Sequence, residues 1–227
     1  VSFFVLDEAD RLLAMGFYDD IIKIAKLLPP TCQNIMFSAT MPDKIRLLAR
    51  TILHDPVEVK IAISKPVEAI NQKVCHCAES QKTAVIRGLF KENLSLERVI
   101  IFVSSKKKVK ELASSLKSLN LNVAEMHSDL EQVQREKTMV AFRNNHISVL
   151  VATDIISRGI DIDDISMVIN YDVPHDEEDY IHRIGRTARA GRGGEALTLV
   201  NAKDEPSFRN IEKFIGKKLE EYPLPAG

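Results

Sequence analysis

An apolar run, Val1 to Leu6, ends in Asp7-Glu8-Ala9-Asp10. Such a run reads as a buried strand, and in an open parallel sheet ligands collect at the carboxyl ends of the strands. Carboxylates placed there suit a metal-bound phosphate. One can hold Mg²⁺ through water, because that ion keeps most of its hydration shell, and a second can orient a water for attack on a γ-phosphate. A solvated acidic turn opening the next helix has the same composition, since Asp and Glu also favour helix N-termini. Far downstream, His182 to Arg192 carries arginines at 183, 186, 189 and 192. Residues three apart on a helix lie about 60° from each other, so Arg186 and Arg189 are expected to converge on one anion. Guanidinium forks match phosphate oxygens; the plain alternative is a solvated basic face. Ser38 and Thr40, taken alone, fit a helix cap after the apolar run Asn34 to Phe37.

Other patterns carry less. Gly191 to Ala196 fits G-x-G-x-x-A but leads into a strand-like run, the reverse of the strand-to-helix order that a dinucleotide fingerprint needs. Cys75-His76-Cys77 has no second ligand pair for zinc and alternates like a strand, so two half-buried thiols are expected. Lys106-Lys107-Lys108 reads as a solvated helix start. No G-x-x-x-x-G-K-[ST] occurs in the 227 residues, so the loop that cradles phosphates is missing. The sequence also starts at Val1, without methionine, inside an apolar run. A fragment lacking its N-terminus is expected.

The elements that must position these residues alternate between short apolar runs and helix-period segments, the pattern of strand and crossover helix. Val1 to Leu6, Asn34 to Phe37, Val99 to Val103, Asn122 to Glu125, Val149 to Ala152, Met167 to Asn170 and Ala196 to Val200 read as strands. Ile45, Leu48, Ala49 and Ile52 mark one face of a helix, as do Val109, Leu112, Leu116 and Leu119. From about Asp55 to Lys73 the periodicity fails, and Asp55-Pro56 and Lys65-Pro66 break any helix, which marks a linker.

With 45% hydrophobic and 28% charged residues the chain is an ordinary globular protein, and disordered or collagen-like classes are excluded. Apolar runs of four or five residues are far short of a membrane span. Three cysteines are too few for a disulfide framework and suit a reducing compartment. Charge is balanced on both sides of Cys77, nine basic against nine acidic before it and 22 against 23 after it. Nucleic-acid binding must therefore rest on particular residues and not on a basic excess.

Taken in order, Asp7-Glu8-Ala9-Asp10, Ser38-Ala39-Thr40, Ala152 to Asp161 and His182-Arg183-Ile184-Gly185-Arg186-Thr187-Ala188-Arg189 resemble the DEAD-box family of ATP-dependent RNA helicases, in superfamily 2. The resemblance covers essentially the whole chain. It implies that Asp7 coordinates Mg²⁺ through water and that Glu8 positions the attacking water. Asp10 would contact His182 and the Ser38-Ala39-Thr40 segment, coupling hydrolysis to domain closure. Arg186 and Arg189 would be arginine fingers reaching the γ-phosphate, Asp161 would accept a ribose hydroxyl, and Gly159 would let the backbone approach the nucleotide. Ser105, Gln132, Arg135 and Thr153 would touch the RNA backbone. Contacts of that kind position a strand without reading its sequence. Two departures are visible. Ala188 stands where many relatives have glycine, and His127-Ser128-Asp129 replaces the usual H-G-D, which questions a tight positive-φ turn at Ser128.

The expectation is an α/β chain with RecA-like parallel sheets flanked by helices, one domain partial and one complete. Residues 1–54 would be the remnant of a first RecA-like domain, 55–74 a linker, 75–217 the second RecA-like domain and 218–227 a tail. The function is expected to be ATP-dependent unwinding or remodelling of short RNA duplexes, with ATP and Mg²⁺ as cofactors and RNA backbone as partner. The piece alone would be inactive for want of the phosphate loop. No membrane partner is expected, and the protein is expected to be a cytoplasmic monomer, with a nuclear location left open for a eukaryotic source. A docking module without catalysis and a DNA-directed translocase are the rival readings. RNA-stimulated against DNA-stimulated hydrolysis separates them.

Overall fold

The apolar runs become the strands of two parallel sheets, one in each of two compact units, Val1–Ile63 and Ser64–Gly227. The structure is a computed structural model and describes residues 1–59, 69–93, 96–154, 165–187 and 193–224.

In the first unit, β1 (Phe3–Leu6) pairs in parallel with β2 (Gln33–Met36), Phe3 opposite Gln33 and Leu6 opposite Met36. Helices α1 (Ala9–Ala14), α2 (Tyr18–Leu27) and α3 (Asp43–Ile52) accompany them. Gly16, at φ 83°, supplies the left-handed step that separates α1 from α2. On α3 the expected face is the observed one: Ile45, Leu48 and Ile52 are buried, and Leu48 and Ile52 join a cluster with Leu6 and Ile21. Each such side chain contributes ~1.5–3 kcal/mol on burial. The reading of Val1 to Leu6 as a buried strand holds for one face only. Phe4 and Leu6 pack inward, while Phe3 and Val5 remain 61% and 51% exposed, because side chains alternate across a strand and the helix cluster gathers only the first pair.

The second unit carries β3 (Ile70–His76), α4 (Lys82–Glu92), β4 (Val99–Phe102), α5 (Lys106–Lys117), β5 (Val123–Met126), α6 (Gln132–Arg143), β6 (Val149–Ala152), β7 (Met167–Asn170), α7 (Glu177–Ile184), β8 (Gly194–Val200), α8 (Glu205–Ile215) and β9 (Glu220–Glu221). The sheet order is β5-β6-β4-β7-β8-β3-β9, and every ladder is parallel. Strands β4, β6 and β7 are buried at every position, as parallel strands covered on both faces must be. Val99 and Ile101 pack with Val109, Leu112 and Leu116 of α5, while Ile100 and Phe102 pack on the other face with Met139 and Phe142 of α6.

β3, of which only the Cys75-His76 end was read as strand-like, begins at Ile70, inside the segment read as linker, and β9 lies within the expected tail and pairs Lys73 with Glu220. The connection after β4 runs toward β5 at one edge, and the connection after β7 runs toward β8 on the other side. The adjacent ends of β4 and β7 are therefore the topological switch point, where a doubly wound sheet opens a crevice. Among the described residues no helix is long and apolar enough to cross a membrane.

Candidate functional site

At the end of β1 the chain turns on Glu8, which sits in the left-handed region at φ 50° and ψ 47°. A residue with a Cβ gives up roughly 1–2 kcal/mol to be there, and such strain concentrates at functional sites. The Glu8 N–H donates to Asp7 Oδ1 at 2.9 Å, and Asp7 itself is exposed. Beyond the turn, the N–H of fully buried Ala9 donates to Phe37 O at 3.0 Å, which joins the ends of β1 and β2. Asp10, 5% exposed, completes the joint. Its Oδ2 accepts the Thr40 N–H at 3.0 Å and the Thr40 hydroxyl at 2.9 Å. Ser38 Oγ accepts the Asp10 N–H at 3.2 Å and donates to Thr40 O at 2.7 Å. The helix-cap alternative for Ser38 and Thr40 is set aside, because the N-cap of α3 is Pro42 and no side chain caps it.

In the second unit, His182 and Arg183 lie in the last turn of α7. His182 is half-buried, and Arg183 is 2% exposed. Arg183 donates from Nε to Asp154 Oδ1 at 2.7 Å, from Nη2 to Asp154 Oδ2 at 2.9 Å, and from Nη1 to Asn170 Oδ1 at 3.1 Å and Asp172 O at 3.0 Å. It lies over the Phe102 ring, 5.1 Å from the centroid. Arg183, to which no role was assigned from sequence, is thus the pin that holds α7 to the ends of β6 and β7. The helical argument for Arg186 is corrected. α7 ends at Ile184, Arg186 lies in the turn beyond it at 8% exposure, and Thr187 bridges to Ile165. At Gly185, the first residue beyond α7, the backbone packs so closely that a Cβ would lie 2.9 Å from Ile181 O. Gly159, Asp161 and Arg189 lie outside the described residues.

Ser105 follows β4 in extended conformation and caps α5, its hydroxyl accepting the Lys108 N–H at 3.4 Å. Gln132 opens α6, as expected, and donates to Glu136 Oε1 at 3.0 Å. Arg135 donates to Ser128 O at 3.1 Å, and Ser128 is not among the residues with positive φ, so the departure from H-G-D leaves no strained turn. Thr153 directly follows β6, its N–H donating to Met126 O at 3.1 Å.

Sequence reasoning missed the charged cluster beside Ser105. Lys82, wholly buried, lies 2.9 Å from Glu79, 3.3 Å from Asp172 and 3.6 Å from Asp204. Lys108 reaches Glu79 at 2.5 Å and Asp172 at 2.8 Å, so the reading of the lysine run as simply solvated holds for Lys107 but not for Lys108. Burial pushes the Asp172 carboxyl up, but Lys108, the Ser104 N–H and Lys82 outweigh it and leave it below the usual range. Glu79 is likewise net lowered, burial opposed by Lys108, Lys82 and Asn201. Lys82 is net raised, because the carboxylates outweigh its burial. Asp172 carried the same signal as Asp7, a carboxylate just after an apolar run; Lys82 carried none.

Cys75 and Cys77 are free thiols buried more deeply than expected, Cys75 completely, and burial together with Cys77 pushes Cys75 up to about 12. Among the described residues no group of three or more His, Cys, Asp or Glu side chains is arranged to hold a metal. A lone exposed carboxylate such as Asp7 fits a metal bound through water.

Residues 1–48 match the family described as DEAD/DEAH box helicase, and residues 81–191 match the helicase conserved C-terminal domain. The chain is 38% identical over 225 residues to an ATP-dependent RNA helicase eIF4A of Kluyveromyces lactis, covering 98% of this chain and 57% of that protein. It is 44% identical to the ATP-dependent RNA helicase DeaD of Mycobacterium tuberculosis, covering 99% of this chain and 40% of the other. The structure of S. cerevisiae Dbp5 bound to RNA and ADP BeF3 is similar with a TM-score of 0.89 at 35% identity, over 99% of this chain and 60% of that one. The structure of the C-terminal domain of Dbp5 alone is similar with a TM-score of 0.64 at 36% identity, over 70% of this chain and 93% of that one. The chain thus spans little more than half the length of curated relatives such as eIF4A.

Proposed function

The chain belongs to the DEAD-box family of RNA helicases, and from that premise we propose that it couples ATP hydrolysis to local unwinding or remodelling of RNA, gripping the RNA by its backbone. The observation that carries the reading is the joint at the ends of β1 and β2, where Glu8 is held in a left-handed turn and Asp10 is fixed by Thr40. Asp7 is the residue to hold Mg²⁺ through water. The bound ion would add positive charge at the β- and γ-phosphates. Glu8 orients the attacking water and takes its proton as the new P–O bond forms and the bond to the bridging oxygen breaks. Asp10 keeps this turn rigid through Thr40 and Ser38. Arg186 supplies charge to the γ-phosphate as negative charge develops there, an assignment compatible with its place in the turn just beyond α7. Ser105, Thr153, Gln132 and Arg135 are assigned to RNA phosphates, and the assignment of Arg189, Gly159 and Asp161 to the nucleotide rests on the family motifs. Three free thiols support a reducing, cytoplasmic setting.

Glu8→Gln and Arg186→Ala in the full-length protein test the reading. Glu8→Gln is expected to keep ATP and RNA affinity while lowering RNA-stimulated turnover by about 10²–10⁴. Arg186→Ala is expected to lower it by about 10³–10⁵ and to leave nucleotide-free RNA binding unchanged. Normal turnover at saturating ATP in Glu8→Gln, or loss of RNA binding with normal turnover in Arg186→Ala, contradicts the assignment.

A further inference from the structure

The cluster around Lys82 lies at the switch point, and no step above uses it. Its members follow four neighbouring strands: Glu79 after β3, Ser104 after β4, Asp172 after β7 and Asp204 after β8. Both ammonium groups also lie over the Tyr171 ring, Lys82 at 5.5 Å and Lys108 at 5.8 Å from its centroid. Taking a lysine wholly out of water costs several kcal/mol before its partners repay it, and apolar residues of similar size often serve stability as well. Stability alone is thus a poor account of the cluster.

Asp172 differs from the other carboxylates in what else it touches. Its Oδ2 accepts the Ser104 N–H at 2.7 Å, a charge-assisted bond at the short end of the range. The next residue, Ser105, is extended at φ −146° and ψ 152° and points the chain into α5. The Asp172 carbonyl accepts Arg183, and Arg183 grips Asp154, the neighbour of Thr153. Asp172 therefore connects the two strand ends, β4 and β6, that carry Ser105 and Thr153.

We propose that Asp172 is a positioning residue for RNA: its carboxylate, held by Lys82 and Lys108, fixes the Ser104–Ser105 turn in the geometry that presents Ser105 to an RNA phosphate. This rests on the reading that Ser105 and Arg135 face RNA. It makes a prediction whose sign is opposite to that of simple electrostatics. A carboxylate beside a polyanion repels it, so deleting the charge should tighten binding if Asp172 acts only through space. Loss of positioning weakens binding instead.

The experiment measures the affinity of the full-length protein for a fluorescent single-stranded uridine oligomer, by anisotropy, across a salt series. Asp172→Asn is expected to weaken binding about 3- to 10-fold, the worth of one hydrogen bond. The slope of log K against log salt should stay unchanged, because no cation–phosphate contact is lost. Asp204→Asn, which removes a carboxylate from Lys82 without touching Ser104, is expected to leave affinity within about twofold. Arg135→Ala should weaken binding and reduce the slope by about 0.7. If Asp172→Asn does not fold, Asp172→Glu keeps the charge and displaces the carboxylate by one methylene, and a similar weakening is expected. Unchanged or tighter binding on altering Asp172, with Arg135→Ala weakened, overturns the proposal alone. Equal loss in Asp204→Asn also overturns it, since the effect would then belong to the cluster's stability. No loss in Arg135→Ala removes the RNA reading and the proposal with it.

Discussion

Replacing Arg183 by Met keeps most of the side-chain volume and removes four hydrogen bonds at once. Asn170 is fully buried and still donates to Thr198 Oγ1 at 3.2 Å, but its Oδ1 loses its donor, at a cost of ~1–3 kcal/mol. The Asp154 side chain is 33% exposed, so water rehydrates it and the lost ion pair is discounted to ~1 kcal/mol. Loss of the contact with the Phe102 ring adds ~0.5–2 kcal/mol. Against these, Met no longer pays for desolvating a guanidinium. A net destabilisation of ~2–4 kcal/mol is expected. For a unit of this size that lowers Tm by roughly 4–16 °C. The chain has no tryptophan, and three of its four tyrosines, Tyr171, Tyr180 and Tyr222, lie in the second unit, so near-ultraviolet circular dichroism follows that unit selectively. Arg183→Lys, which keeps the charge and loses the fork, should fall between parent and Met variant. A Met variant that melts with the parent shows that Arg183 is not the pin described.

Two further perturbations separate strain from charge. Glu8→Gly removes the left-handed penalty and is expected to stabilise the first unit by about 1 kcal/mol while abolishing hydrolysis; destabilisation, read by amide exchange in β1 and β2, contradicts the strain. Asp172 and Glu79 are lowered from ordinary values of 3.8 and 4.5, so the stability they contribute is present above those values and lost as pH falls through the lower folded ones. Lys82 and Lys108 are raised from 10.5, so theirs is complete below that value and lost above it. The second unit's Tm should hold a plateau through neutral pH and fall in acid below about pH 4.5, and a melting temperature that stays flat well below that point contradicts the cluster's assignment.

Strands β4 and β6 were plain in the sequence because both faces of a covered parallel strand are apolar, which leaves an unbroken run, and β7 departs from that only at Asn170. β3 was not plain, because Asn71, Gln72 and Lys73 interrupt it; Gln72 is tolerated inside since the Tyr180 hydroxyl donates to its Oε1 at 2.9 Å. β9 has only two residues and exists through its pairing with β3. The site divides in the same way. Asp7 and Glu8 stood out as candidates because they sit just past an apolar run, where the chain must turn, whereas Asp10, Ser38 and Thr40 were singled out only by the family resemblance. Arg183 and Lys82 were not legible, since burial of a cation depends on partners tens of residues away, which no local pattern records.

The placement of β3 bears on the order in which this polypeptide assembles. Its ladder partners are β8 on one side and β9 on the other, both more than a hundred residues later in the chain. At ~5–20 residues per second of synthesis, β3 waits on the order of ten seconds before either exists. Among the described residues every ladder is parallel and no hairpin shortens that interval, and contacts so distant in sequence are also the slow ones to form. During that time Ile70, Val74 and Cys75, later among the most deeply buried side chains, have no ladder partner. The nascent chain is thus open to chaperone capture, and to oxidation of Cys75, at the segment that becomes the penultimate strand of the finished sheet.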